Sequence, residues 1–254
     1  SIDIYEKVSL GNPLTHEEQK SWDNTLERWR RIIEKANELG VPVMVDAEES
    51  WIQPAVDDLA IQYMRTYNQG KAIVYNTAQL YRHDRLAQLT DALELAKNER
   101  FIYAVKIVRG AYMEKERERA SRMGYASPIQ PDKASTDKDY NAALTLILNH
   151  LSHMAVVIGT HNENSVALAA SLLSEQGHHL DHAHVHVAQL FGMSDHISFN
   201  AAAVGLNTAK YLPFGPVRDV LPYLFRRAEE NTSVEGQTGR ELSLIQKELE
   251  RRKG

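Results

Sequence analysis

Short apolar runs rich in β-branched residues alternate with helix-period segments along most of this chain, and that alternation confines it to an α/β architecture built on a parallel sheet. The runs are Val41–Asp46, Lys71–Asn76, Phe101–Val108, Met154–Thr160, Val185–Leu190 and Ala209–Phe214. Helical spacing covers Pro54–Tyr67, Gln79–Asn98, Glu114–Met123, Thr136–His150, Asn162–Gln176, Met193–Ala203, Val217–Glu230 and a last segment, Gly239–Arg252. The runs lack a clean period of two, as expected when helices cover the sheet. Ahead of them, Thr15–Leu39 places Leu26, Trp29, Ile32, Ile33, Ala36 and Leu39 on one helical face before Gly40 stops it. Residues 1–40 are therefore read as a helical segment and 41–254 as the sheet-and-helix body.

Two architectures fit such an alternation, a (β/α)8 barrel and an open doubly wound sheet. Neither G-x-G-x-x-G nor G-x-x-x-x-G-K-[ST] follows any strand, so the common phosphate loops of open sheets are absent. Polar clusters instead mark the C-terminal ends of the strands: Asp46-Ala-Glu48, Asn76-Thr77, Arg109-Gly-Ala-Tyr112, Thr160-His161-Asn162 and Gln189. In a barrel those ends converge on one face, which favours the barrel. A length of 254 residues suits a whole one, yet only about six strands are visible where eight are needed. Ser1–Gly11, with Ile2, Ile4 and Val8 around Glu6-Lys7, makes a poor strand.

The remaining composition narrows the chemistry. There is no cysteine, which removes disulfides, thiolate metal sites, iron–sulfur clusters and thiol nucleophiles together. The net charge of −5 offers no global field for nucleic acid. No run of about 18 apolar residues exists, and Ser1–Thr15 has neither the basic nor the apolar part of a signal peptide. A mature soluble chain, or a piece of one, is the expectation.

Several residues stand out, each with two readings. Arg226 and Arg227 on the helix after the last strand, with Glu230 beyond them, form either a guanidinium fork for a carboxylate or phosphate or a solvated face of i,i+3 and i,i+4 ion pairs. Asp46 and Glu48 at a strand end suit acid/base work, a metal, or a helix cap. Thr160-His161-Asn162 is either a phosphate or metal contact or an N-cap cluster. His182, His184 and His186 alternate on one run beside His178 and His179, which raises a metal site against a polar surface loop. Lys106 inside a buried apolar run is costly unless an anion or an electron-rich ligand meets it. The charged run Glu114–Arg119 reads as a solvated helix start.

At these residues the chain resembles the catalytic domain of the proline dehydrogenase family. The matching stretches are Val45–Glu49, Val74–Thr77, Lys106–Tyr112, Lys133–Asp137, Thr160–Asn162, Leu190–Met193 and Tyr211–Asn231, in the family's order. The last, with its tyrosine, Pro/Gly turn and Arg-Arg-x-x-Glu, is the most specific. The resemblance implies a TIM-type barrel holding FAD at its strand ends and oxidising L-proline to Δ1-pyrroline-5-carboxylate, with electrons passed to a quinone. It implies that Arg226 and Arg227 grip the proline carboxylate, Tyr211 packs over the ring, Ala111 and Leu190 wall it, and Tyr112 lies beside the flavin. Asp46 would orient the cationic groups and Lys106 would lie near the flavin edge. Asn76, Val108 and Gly110 would line the isoalloxazine, Lys133, Thr160 and His161 the phosphate and ribose region, and Glu230 the adenosine. Members that prefer hydroxyproline carry a smaller residue at the position of Tyr211, so proline is the expected substrate.

The chain also departs from the family. Two opening strands, the second bearing a lysine for the substrate carboxylate, are not visible ahead of the Asp46 strand. Lys7 is the early lysine in a vaguely similar setting, although its context reads more like the helical connection that follows that strand. An incomplete, inactive flavin-binding core therefore stands as an alternative, as does a metal-dependent barrel hydrolase using the histidine run with Asp46. The last helix, with Leu242, Ile245 and Leu249 beside Arg251-Arg252-Lys253, either leans on a membrane or packs over a partner or the flavin. The expected location is the cytoplasm, peripheral to the inner membrane in a bacterium, or the mitochondrion in a eukaryote.

Overall fold

Capping chemistry sets the first helices. Ser1 accepts a hydrogen bond from the Asp3 N–H and starts α1 (Ile2–Ser9). Thr15 and Glu18 then form a reciprocal capping box that opens α2 (His16–Leu39), and Gly40, at φ 66°, closes it. Ser1–Gly11, which makes a poor strand by sequence, holds α1. Ile4 and Val8 lie one turn apart, which is helical spacing, and Ile4 packs with Trp22 of α2 and with Ala55 and Leu59. Lys7 spends its charge on Glu18, 2.6 Å away, and so is tied to α2.

The computed structural model describes residues 1–233 and 237–253; the side chains of 226–242, 244 and 245 lie outside that description. After α2 come β1 (Val43–Met44), α3 (Gln53–Tyr67), β2 (Val74–Gln79), α4 (Arg85–Glu99), β3 (Tyr103–Val108), α5 (Met113–Met123), α6 (Lys133–Leu148) and β4 (Met154–Gly159). Then follow α7 (Glu163–Glu175), β5 (Val185–Leu190), α8 (Asp195–Ala203), β6 (Thr208–Tyr211), α9 (Val217–Ser233) and α10 (Gln237–Lys253). The six strands are all parallel and pair in strict chain order, β1 to β6. A doubly wound sheet would reverse its order at a switch point. Sequential order is instead the winding of a barrel, here a curled six-stranded part of one rather than a closed ring of eight.

Strand parity divides the sheet into two faces. Val74, Val105, Ile107, Val156, Ile158, Val185 and Val187 point into the layer between sheet and helices, where they meet Leu89, Leu93, Tyr140, Leu144, Ile147 and Leu173. Tyr75, Ala104, Ala155 and Val157 point the other way with Ala188. Burying one such large side chain contributes about 1.5–3 kcal/mol, so the helix-facing layer holds most of the stability.

One strand is displaced from its expected place. The run Lys71–Asn76 is apolar, but the ladder is Val74–Gln79, and α4 starts at Arg85 instead of Gln79. Asn68 explains the shift, since its buried amide accepts from the Ile73 and Val74 N–H groups and donates to the Val74 and Ile102 carbonyls. That side chain substitutes for strand pairing at the start of the run. At its end, polar residues stay inside because each has a partner: Thr77 donates to the Val45 carbonyl and Gln79 to that of Glu48, both at 2.7 Å. Asn76 donates to Asp57, which also accepts from Gln53, Arg85 and Gln88 at 2.6–3.0 Å.

Candidate active site

The C-terminal ends of the strands open on a cavity of about 920 Å³, near the upper end of the range for small-molecule sites. Its floor is built by parity: Met44, Thr77, Gln79, Lys106, Val108, Gly159, Ala188, Leu190, Ala209 and Tyr211 all line it. Gly159 keeps the floor level, because a Cβ there would come within 2.9 Å of Val108 Cγ1 and 3.1 Å of the Ile107 carbonyl oxygen. Gly110 is required for two reasons. Its φ is 131°, and a Cβ would fall 2.4 Å from the ring of Tyr81.

The charged groups of the site come in coupled sets. Lys106, mostly buried, ion-pairs with Asp46 from the β1–α3 connection, which supplies the anion that its place in the strand demands. Asp46 does not cap α3, whose N-terminal residue Ile52 has no side-chain cap bond. On another wall, Arg109 holds Asp137 at 2.6 Å, donates to Thr160 at 2.8 Å and Ser165 at 3.2 Å, and stacks over Tyr140. Lys133 shares the same carboxylate. Burial alone would raise the Asp137 carboxyl, but these two cations outweigh it and hold it below the ordinary range. Lys210 reaches Asp195 at 2.8 Å and the Met193 carbonyl at 2.7 Å, tying β6 to the turn before α8.

The Thr160–Asn162 cluster divides its duties. Asn162 caps α7 by accepting from the Asn164 and Ser165 N–H groups, and Thr160 is buried with its hydroxyl accepting from Asn162 N and Arg109. His161 faces the cavity, its Nδ1 2.9 Å from the Ser194 hydroxyl, where Ser194 adopts φ 52°. The start of α7 with His161 and nearby Lys133 makes one end of the cavity suited to an anion.

Of the residues singled out by sequence, Asp46, Lys106, Val108, Gly110, Ala111, Tyr112, Lys133, Thr160, His161, Leu190 and Tyr211 all line this cavity. Asn76 does not line it, which corrects its expected place against a flavin. It has the parity of the helix-facing layer, and its amide is committed to Asp57. Arg226, Arg227 and Glu230 fall on the backbone of α9, and their side chains lie outside the described residues. The histidine run stands apart from the cavity: His178, His182 and His184 meet edge to face, and His184 is bonded to the Leu151 carbonyl. Among the described residues, no three His, Asp or Glu side chains converge as a metal would require. Thr77, Gln79, Gln189, Lys210 and Tyr223 line the cavity without having been singled out as site residues. Tyr223 carried a usable signal: it lies one helical turn before Arg226, and its ring sits 5.5 Å from that of Tyr211.

The sequence profile of the family described as "Proline dehydrogenase" matches residues 2–240. "Proline dehydrogenase 1, mitochondrial" of Homo sapiens is 41% identical over 241 residues, covering 94% of this chain and 40% of that protein. The Caenorhabditis elegans protein of the same name is 39% identical over 244 residues, covering 94% and 40%. "Carbapenem antibiotics biosynthesis protein CarD" of Pectobacterium carotovorum is 38% identical over 252 residues, covering 99% and 65%. Among solved structures, proline utilization A from Bdellovibrio bacteriovorus inactivated by N-propargylglycine superposes with a TM-score of 0.77 at 22% identity, over 85% of this chain and 22% of that one. A proline utilization A structure with proline bound in remote sites gives 0.72 at 24% identity, over 84% and 22%. The structural likeness establishes the fold, and the chain spans about 40% of the length of the mitochondrial relatives. With the family's profile running along nearly its whole length, the chain belongs to the proline dehydrogenase family.

Proposed function

We propose that this chain carries the catalytic core of a flavin-dependent oxidation of L-proline to Δ1-pyrroline-5-carboxylate, with a quinone as electron acceptor. The observation that carries the proposal is the floor of the cavity, where a paired cation, Lys106, stands among small and apolar residues at the barrel's strand ends. FAD fits that donor set. Gly159, Val108 and Ala188 leave a flat, shallow apolar bed where a side chain on residue 159 would collide. His161, Lys133 and the positive end of the α7 dipole suit a diphosphate.

When bound, the flavin supplies the two-electron oxidising chemistry, which no side chain of the chain can provide. Lys106 places a cation in a low-dielectric floor, where it stabilises negative charge that develops above it. Asp46 fixes the direction of the Lys106 ammonium. By the family resemblance, Arg226 and Arg227 would hold the substrate carboxylate, a task for which a planar guanidinium fork is better suited than a point charge. Tyr211, braced by Tyr223, packs over the pyrrolidine ring, while Ala111 and Leu190 enclose it and Tyr112 closes the flavin side. Val108 and Gly110 would line the isoalloxazine, and Asn76 supports β2 from behind. Thr160 and His161 would contact the phosphate and ribose region, and by the family resemblance Glu230 would be the residue for the adenosine. Contact with a membrane surface, where quinone resides, is peripheral; no helix among the described residues is long and apolar enough to cross a membrane.

Purified protein should show flavin absorbance and reduce an artificial electron acceptor at a rate that depends on proline. A colourless protein that stays without flavin absorbance after incubation with FAD, and turns over no proline, would overturn the proposal.

A further inference from the structure

The charged run Glu114–Arg119, which by sequence looks like a solvated helix start, contains the most completely buried acid of the described residues. Glu116 is 0% exposed. Its Oε1 accepts from the Ser50 N–H and its Oε2 from the Ser50 hydroxyl, both at 2.6 Å, across 66 residues of sequence. The residues around it act in the same direction: Lys115 pairs with buried Glu49, and Arg119 stacks over Trp51 at 4.1 Å while pairing with Glu6 of α1. The first turns of α5 therefore grip the β1–α3 connection at Glu49, Ser50 and Trp51 in succession.

That connection is the segment that delivers Asp46 to Lys106. Between Met44 and Gln53 it has no strand or helix of its own. On the sheet side it is fixed by Thr77 at the Val45 carbonyl and Gln79 at the Glu48 carbonyl. On the other side Glu116 is the innermost anchor. Both of its bonds are short, come from a fully buried carboxylate and are made to one residue, so they define a position rather than merely add surface charge.

We propose that Glu116 is a positioning residue of the active site, acting through Ser50 to hold the β1–α3 connection in the place where Asp46 orients Lys106. This rests on the flavin-dependent reading of the cavity. Glu116 itself lines no part of the cavity and touches neither substrate nor cofactor.

A double-mutant cycle on the flavin-loaded protein tests it, with proline kcat/KM as one readout. Glu116→Ala should lower kcat/KM by about tenfold to hundredfold, the scale of losing charge-assisted bonds to a buried carboxylate. Asp46→Ala with Glu116→Ala should then be no worse than Asp46→Ala alone, because the two act in series. Glu116→Gln should stay within about threefold of wild type, since its amide can still accept from the Ser50 N–H and donate to the Ser50 hydroxyl. Hydrogen exchange without flavin or substrate supplies the second readout: Glu116→Ala should speed exchange in 45–52 while leaving 103–108 and 154–159 protected. Multiplicative losses in the double mutant, or unchanged exchange in 45–52, would overturn the inference. If Glu116→Ala does not fold, Ser50→Ala, which removes one of the two bonds, takes its place in the cycle with the same expectations at smaller size. A wild-type protein that neither binds flavin nor oxidises proline sinks the functional proposal instead, and the exchange experiment still decides the clamp.

Discussion

The two faces of the sheet are made from the same strands, one residue apart, yet they are built to different rules. Toward the helices, β3, β4 and β5 present Val105, Ile107, Val156, Ile158, Val185 and Val187, large branched side chains packed on Leu144, Ile147 and Leu173. On the other face the same strands begin in a small buried cluster of Ala104, Ala155 and Val157 and end at the cavity with Lys106, Val108, Gly159 and Ala188. One face fills space throughout, and the other keeps it open at the strand ends. Stability and function are therefore separable along a single strand by parity alone.

Substitutions on the two faces should consequently give opposite signatures. The largest effect on folding is expected from Leu144→Ala, which empties a fully buried position in the helix-facing layer and should cost about 2–5 kcal/mol in urea unfolding. Flavin affinity of the molecules that stay folded should change little. Ala188→Leu should do the reverse, filling the cavity floor and weakening flavin binding about tenfold or more while changing the unfolding midpoint far less than Leu144→Ala. Equal stability losses from the two would show that the faces are not separate after all. The smallest effect is electrostatic. Asp137, held below its ordinary range by Lys133 and Arg109 against the opposing effect of burial, contributes stability that is present above about pH 4 and drains away as the pH falls through the lowered value. The pair is partly exposed, so the contribution is a few tenths to about 1 kcal/mol. Urea melts at pH 5 and pH 3 should show a larger acid loss for wild type than for Asp137→Asn.

The two faces also differ in how well the sequence discloses them. The helix-facing layer is legible because apolar runs and helical spacing report burial directly, and Val185–Leu190 coincides with its strand to the residue. The cavity is legible where a residue is costly in its surroundings: Lys106 in an apolar run demanded an anion, and Asp46 provides it. Legibility ends where polar residues pair at long range. Asn68 shifts β2 by tying its start to Ile102 on the neighbouring strand's approach, and the Asp57 cluster engages Asn76 away from the cavity; these partners are 34 and 19 residues distant. Glu116 failed to stand out for the same reason. In a run of alternating charges nothing local distinguishes the residue that faces Ser50 from those that face water.

The strict neighbour-to-neighbour strand order has a consequence in time. Each strand pairs with the one that precedes it in the chain, so the sheet can grow by one unit after another from an existing edge. The cavity cannot, because its walls run from Met44 and Asp46 near one end of the sheet to Tyr211 and Tyr223 beyond the other. A nascent or cleaved chain that stops before β6 has most of its core but lacks the wall that Tyr211 and Tyr223 supply. Ligand binding is thus a report on completion, and occupancy of the site would mark finished molecules apart from those that merely look folded.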